Sequence, residues 1–315
     1  MRTLESLEDL RARCQAPMED FNDPLGRLVG SRISIRLTRL CLALGITANT
    51  VSYTMLAAGL AGGLLLVGGG PWAVAGFACL IVYYLLDCVD GEVARFRGET
   101  NIEMAAFDYL GHVAVKTLAF AGLAVGLALE TSELYPLLFA LAALVATLLQ
   151  KTLGDVPAVL FASKLLNQGD HLDGRVIFAH LKMRLGKGRL GNGASAHAPA
   201  PRAEPAQKMP LLAQLRFLVL NFDFTMFLFF AAALVDVLLL PRGGLRLFDL
   251  CQINAKAALA VFYGAVLPLS FLDHLATFIR TSRLHQQIST YIDQSGALKQ
   301  EAEAASETVS REAGD

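Results

Sequence analysis

The 315 residues are 54% apolar and only 17% charged, well under the ~25% of an ordinary soluble domain, and mean hydropathy is positive. A membrane protein is therefore expected rather than a soluble enzyme, and the length suits one helical membrane domain with a cytosolic loop and tails. A net charge of −1 supplies no overall field to attract nucleic acid, so no nucleic-acid partner is expected.

In chain order, residues 1–47 read as a cytosolic amphipathic segment, with Leu4, Leu7, Leu10 and Met18 on one face of a surface helix over 4–30. The first apolar run begins only near residue 40, after seven arginines and several acids, so no cleavable signal peptide is expected. A spanning helix needs about 20 mostly apolar residues. Six stretches qualify: 50–68, 72–92, 104–128, 134–156, 214–240 and 253–278. Together they form a six-helix membrane domain over 48–280 of an all-α protein. The polar turn Arg95–Glu103 joins the second and third spans, and Thr100 and Glu103 fit a capping box for the third. A cytosolic loop is expected at about 163–212. Within and beside it, 165–186 has the pattern of an amphipathic helix, either on the membrane surface or packed as a solvated helix. The Gly/Ala/Pro-rich 187–208 reads as a flexible linker, and 281–315 as a disordered cytosolic tail. The five cysteines (Cys14, Cys41, Cys79, Cys88, Cys251) are odd in number and lack Cys-x-x-Cys spacing, so they read as small hydrophobes rather than a disulfide framework.

Basic residues set the orientation. Seven arginines precede the first span, Gly68-Gly69-Gly70-Pro71 has none, the second turn carries Arg95 and Arg97, and the third has only acids. Ten Lys/Arg fall between Lys151 and Arg216. The richer side is each time the one holding both termini and a cluster of acids. This predicts a multi-pass protein of the inner (cytoplasmic) membrane, with cytosolic termini and a polar cleft facing the cytosol.

That cluster is Asp87-Cys-Val-Asp90-Gly91-Glu-Val-Ala94-Arg95, followed by Asp108 and His112. Ionisable residues at membrane depth are costly and mark function. Asp87 and Asp90 share a face of one helix, and Asp108 and His112 a face of the next. If the helices pack, these ligand-type side chains converge on one or two cations, and hard ions such as Mg²⁺ favour oxygen ligands plus water or phosphate. Gly91 leaves room for a phosphate or nucleotide to approach the backbone, Ala94 keeps the next turn low, and Arg95 can clamp a phosphate with its planar fork. The set suits metal-assisted transfer of a phosphate-bearing group. The competing reading is an intramembrane ion or proton path using the same carboxylates.

These residues resemble the CDP-alcohol phosphotransferase family, whose signature is D-x2-D-G-x2-A-R-x8-G-x3-D-x3-D. Asp87, Asp90, Gly91, Ala94, Arg95 and Asp108 match with unbroken spacing. Thr47-Ala48-Asn49-Thr50-Val51-Ser52 resembles the family's T-P-N-x-V-T, and the lead-in from Asp23-Pro24-Leu25 through Ser34, Arg36, Leu37 and Arg39 resembles the branch with di-inositol-phosphate-phosphate synthases. The resemblance implies six membrane helices, usually in a homodimer. It implies transfer of a phospho-alcohol or phosphatidyl group from a CDP-alcohol donor to a lipid or polyol acceptor, with release of CMP, in phospholipid biosynthesis among membrane lipids. By resemblance Asp87, Asp90 and Asp108 bind one or two Mg²⁺ or Mn²⁺ ions, and Gly91, Ala94, Arg95, Asn49 and Ser52 lie along the CDP.

Two positions depart from the signature. Met104 stands at its second glycine, filling space the family leaves open. His112 stands at its last aspartate, the family's proposed general base and metal ligand. An imidazole can act as base near neutral pH or as a ligand favouring Mn²⁺ or Zn²⁺ over Mg²⁺. A member that binds CDP-compounds without turnover is the remaining account. Lys116, one turn past His112, either attracts an anionic substrate or balances the acids. Asn221, Asp223, Asp273 and His274 either line an acceptor pocket or anchor the interface. Asp236 and Lys256 read as external snorkelling side chains, and His171, His180, His197 and His285 carry no assigned role.

Overall fold

The computed structural model describes residues 6–16, 30–98, 102–167, 219–240, 245–247 and 251–280. The expected linker at 187–208, the amphipathic stretch beyond Asn167, the tail from 281, Asp23-Pro24-Leu25, Thr100 of the capping box and the four unassigned histidines lie outside these residues. Among the described residues there are eight helices: α1 (Leu7–Cys14), α2 (Ser31–Ala43), α3 (Ala48–Leu66), α4 (Gly70–Arg97), α5 (Ile102–Thr131), α6 (Tyr135–Asn167), α7 (Phe222–Leu239) and α8 (Ala255–Arg280). The last six are long and apolar enough to cross a membrane, in agreement with the six expected spans.

Local chemistry sets the ends. Thr47 caps α3 by accepting the Thr50 amide at 3.2 Å. The glycine turn reaches α4 through Gly69 and Gly70, both at positive φ, a region L-residues avoid. Helix α4 does not stop at residue 92 as expected. It continues to Arg97 and ends at Gly98, whose φ is 66°, so Arg95 stands on the helix rather than in a turn. Helix α6 likewise runs to Asn167, so the residues from 163 to 167 are helical rather than loop. Of the fifth expected span, residues 214–218 lie outside the described residues; α7 starts at Phe222, where Asn221 caps it by accepting the Asp223 amide at 2.8 Å. A two-stranded ribbon, β1 (Leu245–Leu247) against β2 (Cys251–Ile253) with Arg246 opposite Gln252, precedes α8 and is absent from the sequence expectation. Tyr135 of α6 donates to Gln252 O at 2.6 Å.

The chain divides into two units, 1–147 with 191–269, and 148–190 with 270–315. In the first, α3 packs closely on both α4 and α5 because small residues line its contacts, the arrangement that brings helices together where lipid is the solvent. A Cβ on Gly62 would stand 2.9 Å from Gly76 O, and one on Gly76 2.8 Å from Gly62 O. Helix α2 is amphipathic, burying Ser34, Ile35 and Thr38. An apolar cluster of Ala48, Val51, Val89 and Val93, with Leu37, Cys41 and Ala94 against it, joins α2, α3 and α4. Helix α7 joins α4 and α8 through Phe77, Phe229 and Tyr263, with centroid spacings of 5.6 and 5.9 Å. In the second unit, Gln150 Nε2 lies 3.3 Å from Ser270 Oγ and 3.1 Å from His274 Nδ1.

Asp236 and Lys256 do not snorkel. Lys256 is 1% exposed, and its ammonium pairs with Asp236 at 2.8 Å and Glu130 at 3.2 Å. Asp236 also accepts the amides of Ala255 and Lys256, while Asn254 caps α8 at Ala257 N and donates to Glu130. Glu130 further accepts the Gly70 amide. Snorkelling fails because α5 and α7 each present a carboxylate to the buried ammonium, so the charges are paired inside the protein rather than carried to water.

Candidate functional site

At the other end of α4 and α5 lies the acidic cluster. Asp87 follows Tyr83 by four residues on α4, and His112 follows Asp108 by four on α5, so each pair shares a face and the two faces meet. His112 Nε2 lies 3.2 Å from Asp87 Oδ1 and 3.4 Å from Asp108 Oδ1. One ligand atom from each of Asp87, Asp108 and His112 falls within 4.8 Å of the others. Two oxygens about 2.1 Å from one cation lie at most about 4.2 Å apart, so small side-chain rotations close this set around an ion. The three side chains are 24–38% exposed, which leaves the cluster open to a substrate.

The second imidazole nitrogen, Nδ1, is engaged by the hydroxyl of Tyr83, whose ring meets the imidazole edge-on at 5.7 Å. Tyr83 is buried, so the histidine is held from both sides. A neutral imidazole has one N–H and one lone pair. With the lone pair on Nε2, it would face two carboxylates with nothing positive between them. A positive centre therefore belongs there, either the Nε2 proton or a metal cation. Among the described residues no hydrogen bond reaches Asp108 Oδ1, an oxygen shielded from solvent. That acceptor, with only the imidazole at 3.4 Å beside it, and the mixed O,O,N donor set both fit a divalent cation.

Asp90 sits beside this set and is held separately: Ser52 Oγ donates to its Oδ2 at 2.9 Å, with Ala48 O an alternative acceptor at 3.1 Å. Thus α3, α4 and α5 each contribute to one polar centre. Arg95 lays its guanidinium over Gly91, where an added Cβ would meet Nη1 at 3.0 Å, and its Nε donates to Cys14 O at 2.7 Å. The space that Gly91 leaves is shared with this arginine. Ala94 packs partly into the apolar cluster between α3 and α4. Lys116 stands with its ammonium 5.2 Å from the centroid of the Phe222 ring and within electrostatic range of Asp87. Asp223 follows Phe222 in the first turn of α7, within range of Tyr83.

Not every expected residue joins the centre. Asn49 is exposed on the first turn of α3, and among the described residues no hydrogen bond links it to the acids. Met104 is accommodated sideways, with Tyr53 Oη 3.9 Å from its sulfur. Asn221 acts as a helix cap. Asp273 and His274 belong to the second unit.

Two contributors escaped the sequence reading. Tyr83 lies in an apolar run, and its only signal is the four-residue spacing to Asp87. Glu92, inside the acidic motif, is 3% exposed and accepts from Gln15, Ser34 and Thr38. Its partners are 54 to 77 residues away, beyond any local pattern. No protein-family model and no curated protein matches the chain.

Proposed function

We propose that this chain is a metal-dependent CDP-alcohol phosphotransferase of the inner membrane, with its termini and reactive cleft on the cytosolic side. The observation that carries the reading is the meeting of Asp87, Asp108 and His112 on the helix pair that also lays Arg95 over Gly91. The unbroken Asp87-to-Arg95 half of the signature and the bias of basic loops support it. The homodimer and the role in phospholipid biosynthesis belong to the same reading and rest on the resemblance.

Mg²⁺ or Mn²⁺ held by Asp87, Asp108 and His112, with Asp90 alongside, would neutralise phosphate charge and favour departure of the nucleotide. Arg95, whose guanidinium lies in the space that Gly91 leaves, clamps the diphosphate of the donor. Ser52 keeps Asp90 turned inward. Asn49, outside the centre, is assigned to the cytidine by the resemblance alone, while Lys116 and Asp223 are assigned to the acceptor side. The acceptor hydroxyl oxygen bonds to the phosphorus carrying the alcohol, the bond from that phosphorus to the CMP oxygen breaks, and CMP leaves. The products are CMP, a phosphodiester and one proton.

His112 is better placed as ligand than as base. Without a cation, Nε2 holds the proton that faces the two carboxylates; with one, its lone pair is taken. Nδ1 is occupied by Tyr83 in both cases. We therefore assign the acceptor's proton to the second oxygen of Asp108, Oδ2.

The test is CMP release by the purified protein from a panel of CDP-alcohols, with Mg²⁺ or Mn²⁺ and candidate lipid or polyol acceptors. Release with at least one pair is expected. Binding of CDP without release from any pair points to a binding-only protein, and cation flux in proteoliposomes without cytidine affinity points to a transporter.

A further inference from the structure

Glu92 is a buried carboxylate facing away from the metal-type cluster, and its surroundings concern the N-terminal helices. Its Oε1 accepts from Ser34 Oγ at 2.5 Å and Gln15 Nε2 at 2.7 Å, and its Oε2 from Thr38 Oγ1 at 2.6 Å. The second amide hydrogen of Gln15 goes to Ser31 O at 2.8 Å. One residue at the C-terminal cap of α1 thus ties α1, α2 and α4 together. Hydrogen bonds to a charged acceptor are among the stronger ones, and this carboxylate makes three. The adjacent residue of α1, Cys14, presents its carbonyl to Arg95 Nε at 2.7 Å. Just before it, Arg13 stacks on Phe96 of α4 at 4.5 Å.

An arginine on a helix has several open torsions, and ordering it on a ligand is unfavourable unless it is ordered beforehand. Here Nε is fixed from outside the helix that bears it. Among the described residues no further hydrogen bond takes Nη1 or Nη2, which lie over Gly91. The fork is held at its base and open at its tip.

We infer that α1 and α2, locked to α4 through Glu92, position Arg95 by way of the Cys14 carbonyl, so that its two terminal nitrogens are presented to a diphosphate. The N-terminal helix pair is then part of the donor site rather than only a surface segment. Gln15, Ser34, Thr38 and Glu92 are positioning residues that act through Arg95. The identity of the diphosphate as that of a CDP-alcohol rests on the proposed function; its presentation by Arg95 does not.

The test is a double-mutant cycle on the full chain in nanodiscs, using Gln15→Ala and Arg95→Lys, singly and together. Binding of CDP and of inorganic pyrophosphate is measured by calorimetry, and Mn²⁺ binding by electron paramagnetic resonance. Lysine lacks the Nε–H that the Cys14 carbonyl holds. With Arg95 in place, Gln15→Ala is expected to weaken CDP and pyrophosphate roughly 10-fold; combined with Arg95→Lys, it should weaken them less than about 2-fold further. Mn²⁺ affinity should be unchanged in both settings. Thr38→Val, which is isosteric and leaves α1 intact, should behave likewise. Equal losses in both settings, or none in either, overturn the inference, because the lock would then act on stability alone. Coupled pyrophosphate binding without CDP binding keeps the inference and removes the proposed function. Binding of neither probe overturns both.

Discussion

Tyr83→Phe removes one oxygen atom and leaves the ring packing in place. Tyr83 is 2% exposed, and its hydroxyl is the partner of His112 Nδ1, so no water takes its place when it goes. Phenylalanine keeps the edge-on contact, at 5.7 Å and 80°, but leaves Nδ1 unpaired and the imidazole free to rotate. Loss of the outer hydrogen-bond partner of a metal-binding histidine lowers metal affinity about 10- to 100-fold, or about 1.4 to 2.8 kcal/mol. That range agrees with the roughly 1–3 kcal/mol of an unsatisfied buried polar group. The assay is titration of the purified variant with Mn²⁺, reading free ion by electron paramagnetic resonance, with a thermal melt alongside. Mn²⁺ affinity should fall by at least about tenfold while the fold survives. An affinity within about twofold of the parent protein would mean that the Tyr83 hydroxyl does not hold His112 at a metal, since a merely packed tyrosine loses nothing there.

Three further substitutions follow from the same geometry. His112→Asp should keep turnover and shift preference from Mn²⁺ toward Mg²⁺, because an oxygen ligand suits the harder ion, and His112→Ala should weaken Mn²⁺ binding strongly. An alanine variant that binds Mn²⁺ normally but turns over roughly 10²- to 10⁴-fold more slowly would instead make His112 the base. Lys256→Met strands Glu130 and Asp236 without their cation and should lower stability by about 3–5 kcal/mol in mixed-micelle denaturation. Because Glu130 lies some 22 helical residues, roughly 33 Å, from Asp108, CMP release per folded molecule should not change. Gly62→Val places a Cβ 2.9 Å from Gly76 O, where backbone cannot yield, and should lower the melting temperature sharply. Gly154→Ala, whose Cβ meets nothing within 4 Å, should leave it unchanged.

The spans were legible because length and apolar content are properties of single segments, and the 3.6-residue period placed Asp87 and Asp108 on faces that could meet. The pairing of Asp108 with His112 followed from the same period. What escaped depends on partners between segments. Tyr83 offers no polar pattern in its run, and its hydroxyl matters only because α5 brings His112 to it. Glu92 resembles any acid in a polar motif until α1 and α2 fold over it. Lys256 and Asp236 looked like side chains reaching for water, since single-helix depth does not reveal that Glu130 and Asn254 stand at the same level. The end of α4 was misplaced for a local reason: its polar last turn reads as a loop, while Gly98 at positive φ lets the helix continue up to it. For Arg95 that difference decides its placement, because only a helical Arg95 lies back over Gly91.

The role proposed for Asp87, Asp108 and His112 is that of a centre for phosphoryl transfer from a cytidine diphosphate donor. Its most direct test is ³¹P nuclear magnetic resonance of a reaction holding the purified protein, Mn²⁺, a CDP-alcohol and its acceptor, quenched with a chelator so that the paramagnetic ion does not broaden the signals. The donor's two diphosphate signals should disappear as one CMP signal and one phosphodiester signal grow in equal amounts, and Asp87→Asn or Asp108→Asn should abolish the change. Undiminished diphosphate signals across the donor panel, or conversion that survives both substitutions, would contradict it.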